Sequence, residues 1–541
     1  MKIKYKLYTA ILGMGLLFSA CTDGFENINK EYLPDLDPAE SDLVFALKSG
    51  STYAGAHLHQ RIKNINIDCF SQYFENGAIN RTWAPNDGYN IDYWSDHYRW
   101  LLHANSSIEG TKDSPEKINL NSVARIWRTY MQSQFLDFFG PAPMPTTKGE
   151  NSAYIELKDQ YTFFFKELSE ASAAINTDKG FVSKSTQDII FQGDLGKWQR
   201  FANSLHLRLA IKLSEIDPTL CAQEVTNAAK AKGGLMIANS DNAKGPIMSN
   251  GLWGQQYNYF MYQQSWGSKE VMTTTMEKIF TNLGGIAFNE EAKKAPAKLD
   301  PRGTKYFAPS VKGLWQGIPP GLNASETATD KPLLDSMAVD YAYLSPVWIV
   351  KNNTKPIDLL MYTEVCFLMA EANERGFVAS GSAEEWYNKG VTASMEAWGV
   401  AAADITTYLK SADKNGWGTS AAYGDAAGNG NTKLEKIITQ KYIANFPDVA
   451  LEAWNDKRRL NLPAFVTPRY TSPAAGTYPL DKNIQNPNNF ISRMAYPQQE
   501  VFVNKDKYEA GVALLGAGGD KTSTPLWWAS KRSNYCTSNV N

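Results

Sequence analysis

Several chemistries are excluded by what this 541-residue sequence lacks. Histidine is scarce. The five residues, His57, His59, His97, His103 and His206, form no H-E-x-x-H pattern, so the helix-borne zinc-hydrolase arrangement is missing. No G-x-S-x-G stretch supplies a strand-to-helix turn for a nucleophilic serine. Five cysteines, at 21, 69, 221, 366 and 536, are scattered without a C-x-x-C pair, which removes zinc-ribbon and dithiol chemistry. Charge of one sign is also lacking: 54 basic residues face 56 acidic ones, so no cationic footprint for nucleic acid exists. The glycine-rich GAGGDKTS at 516–523 departs from a phosphate loop, because Asp520 stands where glycine precedes the lysine and its carboxylate would repel phosphate. Neither a metal nor an organic cofactor is expected.

Long apolar runs are absent except at the start. Lys2, Lys4 and Lys6 form a basic head, an apolar stretch runs from Leu7 to Phe18, and Ser19-Ala20 stand directly before Cys21. These are the three regions of a secretory signal. The apolar stretch is too short to cross a hydrocarbon layer of about 30 Å as a helix. A cysteine right after the small residues points to lipid attachment at Cys21, although Phe18 occupies a position where an aliphatic residue is usual. The expected organisation is a signal peptide over 1–20, a lipidated tether over 21–45 containing Pro34 and Pro38, and one binding domain over 46–541.

Helical spacing dominates the remainder. Trp94, Tyr98 and Leu101 recur at helical intervals, and Val123–Phe139, Asp159–Ile175 and Gly196–Ile216 carry apolar stripes. Trp198, Phe201, Leu205, Leu209 and Leu213 make the clearest stripe, stopped by Asp217-Pro218. Further helices are predicted over Cys221–Lys232, Ile357–Arg375, Ala383–Trp398, Leu434–Phe446 and Leu451–Leu460. Gly376 can end one of these and Ser382 can cap the next, giving a helical hairpin of the kind stacked in tetratricopeptide arrays. Glu364, Glu371 and Arg375 share a helical face. Paired carboxylates suit glycosidic acid–base work, but on a packed scaffold helix they read as structural ion pairs.

Aromatic residues are abundant, with 15 tryptophans and 27 tyrosines. Trp127, Trp198, Trp386, Trp398 and Trp454 fall at helical spacing and read as core. Others lie in long Gly-, Asn- and Pro-rich connections, which in compact proteins tend to carry function. Asn80, Arg81, Trp83 and Tyr89 fall in NRTWAPNDGYN; Tyr257, Tyr259 and Trp266 fall in GLWGQQYNYFMYQQSWG; Trp315 lies in another loop. A flat ring can stack on the C–H face of a pyranose while amide, carboxylate and guanidinium groups bond its hydroxyl rim. These residues are the candidate ligand contacts; no catalytic residue and no metal ligand is expected.

A set of segments in order along the chain resembles the SusD/RagB family. They include ARIWRTYMQSQFLDFFGPAP (124–143), GDLGKWQRFANSLHLRLAIKLS (193–214), YTEVCFLMAEANERGF (362–377), LEKIITQKYIANFPDVALEAWNDKRR (434–459) and RMAYPQQE (493–500) with Asn504. Leu460-Asn461 departs from the Thr-Gly more frequent in that family. The resemblance implies an all-α fold, a tetratricopeptide-like helix-pair scaffold with a loop-rich second half packed on it. It implies a surface-facing outer-membrane lipoprotein without catalytic activity, which captures oligosaccharide for a SusC-like TonB-dependent transporter. Two alternatives remain open at this point: a binder of peptide or another non-glycan nutrient, and a lipid-anchored glycan-degrading enzyme.

Overall fold

The computed structural model describes residues 37–50, 59–76, 87–147, 152–245, 270–288, 296–321, 339–345, 356–378, 380–468 and 491–539. The first helix, α1 (Pro38–Gly50), begins inside the segment expected to be a tether. Pro38 opens it because a first-turn residue needs no amide hydrogen, and Glu40 follows in the same turn. Leu43, Ala46 and Leu47 are fully buried, so the packed body starts earlier than residue 46.

A run of neighbouring helices forms the scaffold: α2 (Asp87–Glu109), α3 (Ile118–Phe139), α4 (Leu157–Ala174), α5 (Leu195–Ile211) and α6 (Pro218–Lys230). Each packs against the next, and α1 lies across α2 and α3. Start signals are local. Asp194 accepts the Lys197 amide of α5 at 3.0 Å, and Asp217 accepts the Leu220 amide of α6 at 3.0 Å. Asp217-Pro218, expected as a stop, is therefore equally a start. Trp127 and Trp198 are fully buried, and the Trp127 indole donates to the Ala46 carbonyl at 2.9 Å, fastening α1 to α3.

The second half carries α7 (Thr274–Phe280), α8 (Tyr362–Glu374), α9 (Ala383–Ala397), α10 (Ala402–Leu409), α11 (Lys433–Ala444), α12 (Ala450–Leu460), α13 (Gln498–Val503) and α14 (Lys505–Ala513). The hairpin α8–α9 forms as the capping residues predict. Gly376 takes φ +72°, and Ser382 and Glu385 exchange hydrogen bonds at 3.2 and 2.9 Å in a capping box. Asn461 after α12 adopts φ 57°, the left-handed conformation that glycine favours and asparagine tolerates. Trp454 is fully buried, whereas Trp386 and Trp398, expected as core, are half-buried.

Short strands supplement the helices: β1 (Phe74–Asn76), β2 (Ala142–Pro143), β3 (Tyr154–Ile155), β4 (Ala243–Gly245), β5 (Glu270–Met272), β6 (Phe307–Ala308), β7 (Tyr343–Leu344) and β8 (Ile357–Leu360). Antiparallel pairing gives a sheet in the order β1-β5-β7-β6 and the pairs β2–β3 and β4–β8. The helix expected over Ile357–Arg375 thus starts at Tyr362. Its first four residues are extended because β4 and the Arg208 guanidinium claim their backbone groups. The 410–432 connection is held by buried side chains. Lys436 donates to the Ser420 carbonyl, the Ser420 hydroxyl and Asn431 at 2.6–2.8 Å.

Buried ion pairs join the two halves. Arg208 of α5 makes a two-pronged bond to Glu364 of α8 at 2.8 and 2.6 Å. Lys212 reaches Asp137 and, at 3.2 Å, Glu452. Arg459 of α12 grips Glu371 of α8 and Asp456, and Arg375 reaches Glu371 at 2.9 Å. Burial alone would raise the Glu371 pKa, but the Arg459 and Arg375 charges outweigh it and hold it at about 2. Glu364 and Glu371 are therefore ion-paired inside the scaffold, as the structural reading of that helix face predicts.

Candidate functional site

Helix α2 presents two chemically distinct faces. At its first turn, half-buried Tyr89 lies beneath the guanidinium of Arg61, whose carbon is 5.2 Å from the ring centroid. Arg61 also pairs with Asp92, and both side chains are about one-third exposed. An aromatic ring, a fixed guanidinium and a carboxylate thus meet at the end of α2 that adjoins residues 77–86. The turn is anchored from the C-terminal half: the Gln498 amide donates to Asp87 at 2.9 Å, and Asn90 donates to the Ala495 carbonyl at 3.1 Å.

Five residues further along, Trp94 lies about 7.5 Å up the axis and roughly 140° around the helix. There Trp94 and Tyr98 face β2–β3 and α13–α14 across a cavity of about 180 Å³. The Tyr98 hydroxyl donates to the Pro143 carbonyl at 2.9 Å, and the Tyr154 hydroxyl donates to Glu500 at 3.1 Å. Burial, and then the Glu500 carboxylate, push both phenols well above the usual tyrosine range, so they stay neutral donors.

The other candidate contacts are distributed unevenly. Trp315 is a correction: at 2% exposure it packs on Phe288, with ring centroids 5.5 Å apart, and offers no face to a ligand. A loop position in sequence did not mean a surface position, because the Ile318–Met272 and Thr274–Ile318 backbone bonds tie this loop to the C-terminal end of β5. Cys21, Asn80, Arg81, Trp83, Tyr257, Tyr259 and Trp266 lie outside the described residues. Sequence reasoning missed Arg61, Asp92 and the Trp94–Tyr98–Tyr154–Glu500 cluster. Trp94 and Tyr98 carried a helix-face signal, but nothing in it distinguishes a packed face from a hollow one.

His97 and His206 are structural. His97 bonds Gln132 at 2.8 Å and stacks on Phe135; His206 bonds Glu224 at 2.7 Å and stacks on Phe165. Asp520, the residue that breaks the phosphate-loop pattern, accepts from Arg493 at 2.6 Å and from the Tyr496 amide at 3.0 Å. Cys221 and Cys366 are buried thiols. Among the described residues no group of three histidine, cysteine or acidic side chains is placed to hold a metal, and no helix is long and apolar enough to cross a membrane.

Comparison with known proteins decides the family. The model of the family described as "SusD-like: Susd and RagB outer membrane lipoprotein" matches residues 40–529. The chain belongs to the SusD-like family. A SusD homologue of known structure from Parabacteroides distasonis is 38% identical, with 93% of this chain and 99% of that one covered at a TM-score of 0.85. A chitin-binding SusD homologue from Flavobacterium johnsoniae is 23% identical over 91% of this chain and 99% of its own, at a TM-score of 0.73. A SusD homologue from Bacteroides vulgatus is likewise 23% identical, covering 91% and 98%, at 0.75. No curated protein sequence matches this chain. The mostly helical architecture with its hairpin scaffold is thus the SusD-like fold, and the family is one of outer-membrane lipoproteins.

Proposed function

We propose that this SusD-like chain is a surface lipoprotein, anchored through Cys21, that captures oligosaccharide and passes it to a SusC-like TonB-dependent outer-membrane transporter. Family membership carries this reading, with support from the leader sequence and from a relative described as chitin-binding. The Tyr89–Arg61–Asp92 group supplies the complementary chemistry: a ring for a pyranose face and charged donors and acceptors for its hydroxyls. Asn80, Arg81, Trp83, Tyr257, Tyr259 and Trp266 are proposed to extend that surface. One aromatic platform that buries about 50 Å² of sugar contributes roughly 1 kcal/mol at 25 cal/mol per Å². Two or three such platforms contribute roughly 2–3 kcal/mol, so a millimolar complex, at about 4 kcal/mol, also draws on hydrogen bonds to the hydroxyl rim, and such weak binding suits a carrier that releases its ligand.

The ligand is held and not cleaved. Glu364 and Glu371 are locked to buried arginines, so no acid–base pair comes from that helix face. Affinity gels cast with a panel of glycans test the proposal. Retarded migration in at least one gel is expected; unaltered migration in all of them would point to a peptide or another non-glycan nutrient.

A further inference from the structure

The cavity between α2, β2–β3 and α13–α14 has a composition the glycan reading does not use. Trp94, Tyr98 and Tyr154 line it, with ring centroids 5.5 Å apart for Trp94–Tyr98 and 6.2 Å for Trp94–Tyr154. Glu500 lines it too and is only 8% exposed. That carboxylate accepts from the Tyr154 hydroxyl at 3.1 Å and from the Asn504 amide at 3.2 Å, both neutral donors. Among the described residues no lysine, arginine or histidine nitrogen lies within 4.0 Å of it, in contrast to the paired carboxylates of the scaffold. Lys507 also lines the cavity, with its ammonium 3.4 Å from the Ser152 carbonyl oxygen.

A carboxylate has about four acceptor positions, so two neutral donors leave capacity on Glu500. Aromatic faces beside an anion in a desolvated pocket attract a compact cation through both the ring quadrupole and the charge. We infer that this cavity binds a small ammonium group, as carried by an unacetylated amino sugar or a simple alkylamine. The site lies on a different face of α2 from Tyr89 and does not depend on the glycan reading. Glu500 is the anionic contact, and Trp94, Tyr98 and Tyr154 are the walls. Lys507 contributes like charge, which limits affinity.

Calorimetric titration of the purified protein with methylammonium, glucosamine, glucose and N-acetylglucosamine tests this. Methylammonium contains no sugar, so its binding reports on the cavity even if every glycan fails to bind. Expected results are saturable methylammonium binding and at least tenfold preference for glucosamine over the two neutral sugars. Glu500→Gln should weaken both amines at least tenfold, and Tyr89→Ala should leave methylammonium binding unchanged. If methylammonium binds and glucosamine does not, the source is an alkylamine; if both bind, amino sugars are included. Absence of methylammonium binding overturns the inference, as does undiminished amine binding in Glu500→Gln with a wild-type melting curve. Should Glu500→Gln fail to fold, Lys507→Met decides: severalfold tighter amine binding supports the site, and unchanged or weaker binding overturns it.

Discussion

Replacing Arg208 by methionine tests the ionic layer that joins the two helical halves. Arg208 and Glu364 are 1% and 0% exposed, and the guanidinium also donates to the Leu359 carbonyl at 2.9 Å and lies 3.9 Å from Glu452. Methionine fills comparable space but leaves the Glu364 carboxylate buried without its two-pronged partner. Stranding one member of such a pair costs about 3–5 kcal/mol. With an unfolding entropy of about 2.1 cal/mol/K per residue, the roughly 400 described residues give about 0.8 kcal/mol per degree, so Tm should fall by about 4–6 °C. The double variant Arg208→Met with Glu364→Leu removes both charges. The unbonded Leu359 carbonyl, at about 1 kcal/mol, and the longer contact to Glu452, which keeps Lys212, then remain as losses, so most of the loss should be recovered. Differential scanning calorimetry of wild type, both single variants and the double variant reads this directly. A double variant no more stable than Arg208→Met, or a single loss below about 1 °C, would refute the reasoning.

Tyr89→Ala should weaken oligosaccharide binding about fivefold, the equivalent of roughly 1 kcal/mol, with Tm lowered by no more than about 2 °C because the ring is only partly buried; titration calorimetry checks the first and a melting curve the second. Burial lowers the His97 pKa to about 4 against the Gln132 hydrogen bond, so the unfolded chain binds the extra proton between about pH 4 and 6.5 and the His97 contribution to stability rises with pH through that window, opposed by buried Asp68, whose carboxyl is pushed up to about 6. Glu371, held near 2, contributes stability that is complete above about pH 4.5 and is lost as pH falls toward 2. In a Tm series from pH 2 to 6.5, His97→Gln should therefore make the profile less steep than wild type between about pH 4 and 6.5. Cys21→Ala should abolish incorporation of labelled fatty acid and release the protein from the membrane fraction.

How much of this was legible depends on the kind of signal. The helical stripe from Trp198 to Leu209 and the Ser382 cap are short-range patterns, and the structure contains the helices they predict. Proline at 38 misled, since the same residue that stiffens a tether also starts a helix, and only the burial of Leu43 and Leu47 distinguishes the two. Residues 357–360 looked helical because Ile-Asp-Leu-Leu has no period of its own. Their pairing with Ala243–Gly245, more than a hundred residues away, decides the strand. Trp315 shows the limit at the site: loop composition marks where a chain leaves its helices, not whether an indole then turns inward. Glu500 stood inside a quoted family segment, yet its lack of a cationic partner among the described residues is a property of three dimensions and has no local sequence signature.

The central claim is binding without turnover by a helical outer-membrane lipoprotein of the SusD-like family. Its most direct test incubates the purified protein overnight with a glycan that retards it in affinity gels, then recovers the sugar and measures its mass. The account predicts a saturable complex and a ligand of unchanged mass; shorter fragments in the recovered sugar would contradict it.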